Sequence, residues 1–289
     1  MASEEFSEFI ELQGDEPLAQ GDIIRQNAGD NDIWHRILIV VTADCDLAHR
    51  KHGGTLSCVP VLDAPEYLNR FFIAPDMAVT LDRIVAELTE QFHVAQEEAA
   101  AEHPFTPLTA KRVREWSREA DDPAIKRTLP ALNLSRTGPL MAAVRQLEDP
   151  NVYSHTRRLD ALAGAKSAIG DYKSPADARK SLYKKFASQL SQLPGDAMFL
   201  HRLGAELGHG YVAYLRRVVD VDETDVAMNV PGLQEGRHYE RIARLASPYV
   251  YGLTQRLANV FSSIGMPDNY EKARRDYAAQ MSRIPQEAQ

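Results

Sequence analysis

The spacing of apolar residues along the chain predicts two stretches of β-strand separated by a long helical stretch. Short runs rich in Ile, Leu and Val, bounded by turn-forming residues, predict the strands. These runs are residues 21–26, 34–41, 55–62, 197–204, 211–221 and 238–245. A Gly-containing turn joins the runs 197–204 and 211–221, which predicts a β-hairpin.

Apolar residues recur every three or four positions between residues 63 and 193, which predicts successive helices. Their expected ranges are 75–101, 109–120, 139–147, 153–169 and 175–193, with a short helix beginning at Asp122–Pro123. Ser174–Pro175 is a strong start signal, because a capping residue precedes a proline at the first helical position. Further helices are predicted at 3–12, 247–265 and 269–284.

This order of elements predicts an α+β fold, in which an SH3-like β-barrel is formed from both ends of the chain. Each end supplies about three strands, too few for a well-covered sheet, whereas together they supply about five or six. The expected domains are a barrel with its closing helix (1–62 and 197–265), a large helical insertion (63–196) and a C-terminal helix (266–289). Separate α and β domains fit the same order of elements.

Composition indicates a globular protein without a membrane partner. The chain has 289 residues, of which 44% are hydrophobic and 26% charged. No apolar run approaches the ~18–20 residues that span a bilayer, and the acidic N-terminus is unlike a secretory signal, so we expect a cytoplasmic location. The net charge of −8 argues against a general nucleic-acid coat protein and leaves a local basic groove open.

Groups with potential chemistry concentrate in a polar turn within the segment 35–62, between two predicted strands. They are Asp44, Cys45, Asp46, His49, Arg50, Lys51 and His52. Carboxylate, thiolate and imidazole all bind metals, yet the spacing matches no common zinc or calcium motif, so we expect no metal and no cofactor. The alternative is a turn in which Asp44 or Asp46 caps a short helix at 47–51.

Cys45 is a candidate nucleophile, because His49 lies one helical turn further on and would serve as its base. The flanking carboxylates of Asp44 and Asp46 act against this, since negative charge raises the pKa of a thiol. Cys58 lies in mid-strand and is expected to be a small core residue. Both thiols are expected to be free in a cytosolic chain.

Clustered cations offer a third kind of site. Arg36 and the basic residues of the turn would meet Arg216, Arg217 and Arg241 across the barrel, forming a surface for phosphate or RNA. His209 and Tyr211 would add stacking or proton transfer. Ordinary barrel surface is the alternative interpretation of the same residues.

Several strand features occur in a characteristic order. They are Gly21–Asp22 opening a strand, Arg36 before the apolar run 37–41, a strand with valine and proline at 55–62, a strand ending near an aspartate at 211–222, and a strand running into a helix at 241–265. In this order the strand-bearing parts of the chain resemble the MazF/PemK toxin family, small SH3-like barrels that cut RNA.

The resemblance implies a catalytic pair that is incomplete in this chain. The family cleaves RNA without metal, using an arginine at the start of its second strand and a Ser or Thr at the end of its third. Arg36 lies at the arginine position, whereas Leu62 lies at the hydroxyl position. The segment Thr42–Leu47, with Asp44-Cys45-Asp46, and the segment 245–267 also resemble uncharacterised bacterial proteins with a strand-then-Cys-Asp motif, from which no activity carries over.

We therefore expect a bacterial accessory protein whose barrel binds a protein or nucleic-acid partner, with a role in stress or phage defence by analogy. The first alternative is a metal-independent, toxin-like endoribonuclease, with Arg36 stabilising the developing charge and His49 or His52 as acid or base. The second is a thiol- or metal-dependent hydrolase centred on Cys45.

Overall fold

A computed structural model describes residues 7–12, 16–27, 32–100, 106–150, 154–204, 210–228, 237–262 and 268–281. The fold mixes helices with a curled, mainly antiparallel sheet that forms a half-barrel, and helices follow the sheet at the C-terminal end, so the α+β class is confirmed. The chain divides into two compact units. The sheet unit comprises 1–61, 194–208 and 213–289, and the helical unit comprises 62–193 and 209–212.

The described strands form one sheet in the order β1-β9-β2-β3-β4-β6-β5, with β7 paired to β4 and β8 paired to β9. The strands are β1 (Phe9–Ile10), β2 (Asp22–Gln26), β3 (Ile37–Val40), β4 (Thr55–Asp63), β5 (Ala197–Leu200), β6 (Tyr211–Tyr214), β7 (Val219–Asp222), β8 (Val226–Ala227) and β9 (Tyr239–Leu245). The pairs β2/β3, β3/β4 and β2/β9 are antiparallel, whereas β8/β9 is parallel.

A buried charge network joins the early strand β2 to the late strand β9. Asp22 is fully buried, and its carboxylate accepts hydrogen bonds from Arg241 at 3.4 Å and from Arg244 at 2.5 Å. Arg244 also pairs with Glu16 at 3.1 Å. Because an unpaired charge is costly to bury, these contacts fix β2 beside β9.

The strand predicted at 211–221 is interrupted in the structure. It forms β6 and β7, with a turn at 215–218 that leaves Arg216, Arg217 and Val218 exposed. The Leu215 amide donates to the carbonyl of Asp196 at 2.9 Å, and the side chain of Arg216 pairs with Asp196. An apolar pattern cannot reveal these long-range bonds, which favour the turn over a continuous strand.

Two other predictions are wrong in detail. The segment 3–12 was expected to be a helix, but its described part contains the strand β1, which pairs with β9. The strand expected at 34–41 covers only Ile37–Val40, because Asp32 accepts a hydrogen bond from the Trp34 amide at 3.0 Å and holds a turn there. In these two segments, pairing with β9 and the hydrogen bond to Asp32 therefore decided the local structure, rather than the spacing of apolar residues.

Helices fill the helical unit. They are α2 (Ala64–Leu68), a π-helical turn (Asn69–Ile73), α3 (Ala74–Ala100), α4 (Ala110–Glu119), α5 (Asp122–Thr128), α6 (Leu134–Leu147), α7 (His155–Ala168) and α8 (Pro175–Ser191). The predicted start of α8 is confirmed, since Ser174 accepts a hydrogen bond from the Asp177 amide at 3.2 Å. One apolar core includes Leu88, Phe92 and Met141, and another includes Leu162 and Phe186.

The sheet unit carries three described α-helices, α1 (Asp44–Ala48), α9 (Ser247–Ser262) and α10 (Asp268–Met281), and a 3₁₀ helix at Glu223–Asp225. Its core contains Ile24, Leu38 and Leu56, none of which is exposed. Within the described residues, no helix is both long enough and apolar enough to cross a membrane.

Candidate functional site

The polar turn after β3 begins with the helix α1, which starts earlier than predicted. Ala43 is the N-terminal capping residue, so Asp44 and Asp46 lie inside the first turn rather than before it. There they face the positive end of the helix dipole. Asp44 also accepts a hydrogen bond from the Gln20 amide at 2.7 Å. Its carboxylate thus holds the segment before β2 against α1.

Cys45 is exposed on α1, and its thiol Sγ lies 3.7 Å from a carboxylate oxygen of Asp46. The amide of His49 donates to the carbonyl of Cys45 at 3.2 Å, which places the two residues one turn apart, and the His49 side chain is also exposed. The thiol thus contacts a carboxylate rather than an imidazole that would act as its base. The contacts of Cys45 therefore do not resemble an activated nucleophile.

His52 is held through both ring nitrogens. Nδ1 lies 3.1 Å from the carbonyl oxygen of Asp46, and Nε2 lies 2.8 Å from a carboxylate oxygen of Glu223. Two acceptors require two N–H donors, which is the imidazolium form. The hydrogen bond to Glu223, followed by that to Asp46, raises the pKa of His52 above its usual value. With both nitrogens engaged, His52 joins the α1 turn to the end of β7.

The turn's remaining candidates are exposed cations. Arg50 adopts a left-handed backbone conformation with φ of 53°, and both Arg50 and Lys51 point into solvent. No group of three or more His, Cys, Asp and Glu side chains in the described part of the chain is placed to hold a metal ion. The carboxylates, thiol and imidazoles of this turn are thus near one another in sequence without forming a ligand set.

The two cysteines are free, as predicted. Cys58 is completely buried on β4, and burial raises the pKa of its thiol to about 12. A thiol that remains protonated in the core is a packing group rather than a nucleophile.

Trp34, Tyr214 and Arg217 form a separate cluster in the sheet unit. Together with Arg36, which follows Trp34 by two residues in the chain, we call them the Trp34 patch. The guanidinium of Arg217 lies 4.7 Å from the centre of the Trp34 ring. The centres of the Tyr214 and Trp34 rings are 5.6 Å apart. Arg36 is exposed two residues after Trp34, at the start of β3. The turn between β6 and β7 thus places Arg217 on the turn that precedes β3.

The other predicted arginines lie elsewhere. Arg216 is exposed and paired with Asp196, and Arg241 is only 8% exposed because it belongs to the Asp22 network. Tyr211 is buried, and His209 lies outside the described residues. The structure therefore associates Arg217 with the Arg36 segment, while Arg241 has a structural partner.

Sequence reasoning missed Trp34 and Tyr214. Trp34 was included in an apolar strand, although an aromatic residue near Arg36 is a combination from which stacking surfaces for nucleic acids are built. Tyr214 gave no separate signal, because it closes an apolar run. The contact between the Tyr214 and Trp34 rings is seen only in the structure, where the chain turns directly after β6.

Comparison of the chain with models of known protein families, with curated proteins and with solved structures found no match.

Proposed function

We propose that the sheet unit is a binding module for single-stranded RNA and that the Trp34 patch is its contact surface. The observation that carries this proposal is the exposed guanidinium of Arg217 stacked over Trp34 at 4.7 Å, next to Tyr214. Proteins that bind single strands combine cations for the backbone with flat groups on which bases stack.

The proposal gives each group of the patch a separate role. Trp34 is only 8% exposed, because its neighbours cover the ring, so a base would not reach it directly. A base would instead stack on the outer face of the Arg217 guanidinium, which Trp34 holds flat and in place. Arg36, exposed nearby in the chain, would then contact a phosphate.

Charge gives the proposal a measurable signature. The whole chain carries a net charge of −8, so attraction for RNA has to come from local cations, and the proposal assigns this role to Arg36 and Arg217. Few phosphate contacts give a shallow but definite salt dependence, about one unit of slope or less per phosphate neutralised. Affinity is therefore expected to fall as salt rises, with a small slope.

The resemblance of the strand order to the MazF/PemK family supports RNA rather than protein as the partner. It also supports completing the half-barrel as an SH3-like barrel and suggests a bacterial role in stress or phage defence. Leu62 occupies the position of the family's hydroxyl, which favours binding without cleavage.

The test compares two neighbouring arginines on the same turn. Binding of a labelled single-stranded RNA is measured by fluorescence anisotropy for wild type, Arg217→Ala and Arg216→Ala. Loss of one stacked base is worth about 1–3 kcal/mol, so Arg217→Ala should weaken binding roughly tenfold. Arg216→Ala is the matched control, because Arg216 is paired with Asp196, and it should change binding by less than about twofold.

Two outcomes contradict the proposal: no RNA binding at low salt, or equal losses in both variants. If wild type does not bind RNA yet retains a protein partner that Arg217→Ala loses, the patch is a protein-binding surface instead.

Cleavage of RNA is a second candidate function, favoured by the exposed Arg36 at the start of β3. The same labelled RNA is incubated with wild type, Arg36→Ala, His49→Ala and Cys45→Ala, with and without chelator. Cleavage lost in Arg36→Ala and insensitive to chelator would establish a toxin-like nuclease. Loss in Cys45→Ala, or loss on adding chelator, would point to a hydrolase centred on α1.

A further inference from the structure

The helical unit contains a cavity of about 370 Å³, bounded by α3, α4, α7 and the end of α6. This volume falls in the range of sites for small organic molecules. Its apolar wall includes Met77, Leu81 and Leu147, and its polar rim includes Arg114, Glu148 and Arg158. A body of several carbon atoms would pack on the wall while a polar head meets the rim.

Glu148 is the polar group with an unmet requirement. Nε of Arg114 donates to one carboxylate oxygen, Oε1, at 2.8 Å, and Nη2 of Arg114 lies 2.6 Å from the same oxygen. The other oxygen, Oε2, is buried and has no hydrogen-bond partner among the described residues. A buried carboxylate oxygen without a donor costs free energy, so a donor arriving in the cavity is favoured.

The position of Glu148 at a helix terminus favours a cationic donor. Glu148 follows the last residue of α6, a helix of 14 residues whose carboxyl end carries partial negative charge. Asp149 follows it on the cavity wall, so two carboxylates and a helix terminus meet there. Arg114 pairs with Glu148, and Arg158 also lies on the rim, so the preference for a cation comes from the helix terminus and the unpartnered oxygen Oε2 rather than from an excess of carboxylates.

The π-helical turn gives independent support for a site here. Asn69, its first residue, accepts a hydrogen bond from Arg158 at 3.1 Å, and Ala74, directly after the turn, lines the cavity. Single π turns inside helices are frequent at functional sites, since they shift side chains relative to a regular helix. This one orients Arg158 at the rim.

We propose that this cavity binds a small primary amine with an apolar stem. The ammonium group would donate to Oε2 of Glu148, and the stem would lie on Met77, Leu81 and Leu147. The site belongs to the helical unit and does not depend on the function proposed for the sheet unit.

The test uses three probes of equal length on the full chain: n-pentylamine, pentan-1-ol and pentanoate, followed by isothermal titration calorimetry and NMR. Pentylamine is expected to bind saturably with one molecule per chain, pentanol about tenfold more weakly, and pentanoate not at all. A hydrogen bond to a charged group is worth about 1.5–3 kcal/mol, so Glu148→Gln should weaken pentylamine at least about tenfold.

Two further variants make the result decisive. Ala78→Phe places a ring into the cavity from a residue that is exposed, so it should abolish pentylamine binding without disturbing the core. Glu90→Gln, an exposed carboxylate further along α3, is the matched charge control and should bind like wild type. If Glu148→Gln fails to fold, Ala78→Phe alone tests the site.

The proposal is overturned if no probe binds, which would mean that water alone satisfies Glu148. Equal binding of pentylamine by wild type and Glu148→Gln, undiminished binding by Ala78→Phe, or stronger binding of pentanoate than of the amine would also overturn it.

Discussion

His52 connects two segments that are far apart in the chain, and its charge state controls the connection. Nε2 contacts the carboxylate of Glu223 at 2.8 Å, and Nδ1 contacts the carbonyl of Asp46 at 3.1 Å. The hydrogen bond to Glu223 is the largest cause of the raised pKa of His52, and the nearby Arg50 opposes it. The contact is therefore strongest while the ring is protonated.

This contact predicts a pH dependence of stability. Because the folded-state pKa of His52 is raised above about 6.5, its contribution is fully present below that pH and is lost as pH rises through the folded pKa. Glu223→Gln should lower the pKa of His52, and the stability difference from wild type should shrink towards alkaline pH. The pKa is measured by NMR titration of the ring proton and the stability by urea unfolding across pH.

Asp225→Asn is the control, because that carboxylate approaches His238 rather than His52, and it should leave the His52 titration unchanged. An identical His52 pKa in wild type and Glu223→Gln would show that the pair does not form in solution.

The residue scale also shows why Cys45 drew attention in the sequence. A cysteine between two aspartates and near histidines could belong to a metal site, act as a nucleophile or lie in an ordinary turn, and the spacing of these residues does not distinguish the three. The contacts in the structure favour the turn, because Sγ of Cys45 lies against a carboxylate and both ring nitrogens of His52 are hydrogen-bonded to Glu223 and Asp46. Within the sheet unit, the Trp34 patch therefore offers more groups for binding than this turn does.

At the scale of elements, Gly21 is the point where β2, β3 and β9 meet α9. Its amide donates to the carbonyl of Val40 at 2.8 Å, and its carbonyl accepts from the amide of Leu245 at 2.9 Å. Its φ of +92° lies in the region that favours glycine, and a Cβ there would overlap Cγ2 of Val250 on α9. The helix packs directly on this backbone.

Gly21→Ala should therefore destabilise the protein through two separable effects. Backbone strain costs on the order of 1–3 kcal/mol, and the overlap with Val250 adds roughly 1–3 kcal/mol. Unfolding in urea, followed by circular dichroism, measures the sum. The double variant Gly21→Ala with Val250→Ala should remove the overlap while leaving the strain.

Gly54→Ala supplies the comparison, since its φ is +82° and nothing lies within 4 Å of an added Cβ. The loss of stability in Gly54→Ala should therefore come from backbone strain alone. Equal losses in Gly21→Ala and Gly54→Ala would mean that α9 does not pack against Gly21 in solution.

Elements differed in how far the sequence predicted them. The start of α8 follows from Ser174 and Pro175 alone, because a cap and a fixed φ act within a few residues. The π-helical turn between α2 and α3 left no such signal. The split between β6 and β7 depends on Asp196 and Trp34, which are distant in sequence, so periodicity could not reveal it.

At the scale of the whole molecule, each unit contains an apolar core of its own. Leu88 and Phe92 belong to a cluster whose members all lie between residues 81 and 169. Ile24 and Leu56 belong to a cluster confined to the sheet unit. Since burial of apolar surface is the main stabilising contribution, each core favours folding of its own unit.

We expect the fragment Asp63–Leu193 to fold by itself, because it retains Asp63 as the cap of α2 and both helical cores. It should give a helical circular dichroism spectrum and a cooperative thermal transition. Leu88→Ala, at a fully buried site, should destabilise the fragment by about 2–5 kcal/mol. Val79→Ala, at a site that is 60% exposed, should change its stability little. A transition that is broad, or insensitive to Leu88→Ala, would contradict this expectation.

The sequence by itself determined the α+β class, most element positions, the free thiols and the buried role of Cys58, because these follow from local periodicity, capping and composition. Tertiary structure decided which residues act together. His52 meets Glu223 across 171 positions, Asp22 meets Arg244 across 222, and Arg217 covers Trp34. Such pairs arise from strand order and turn geometry, which bring together residues with no local signal of one another. The Trp34 patch and the cavity of the helical unit therefore depend on the folded chain.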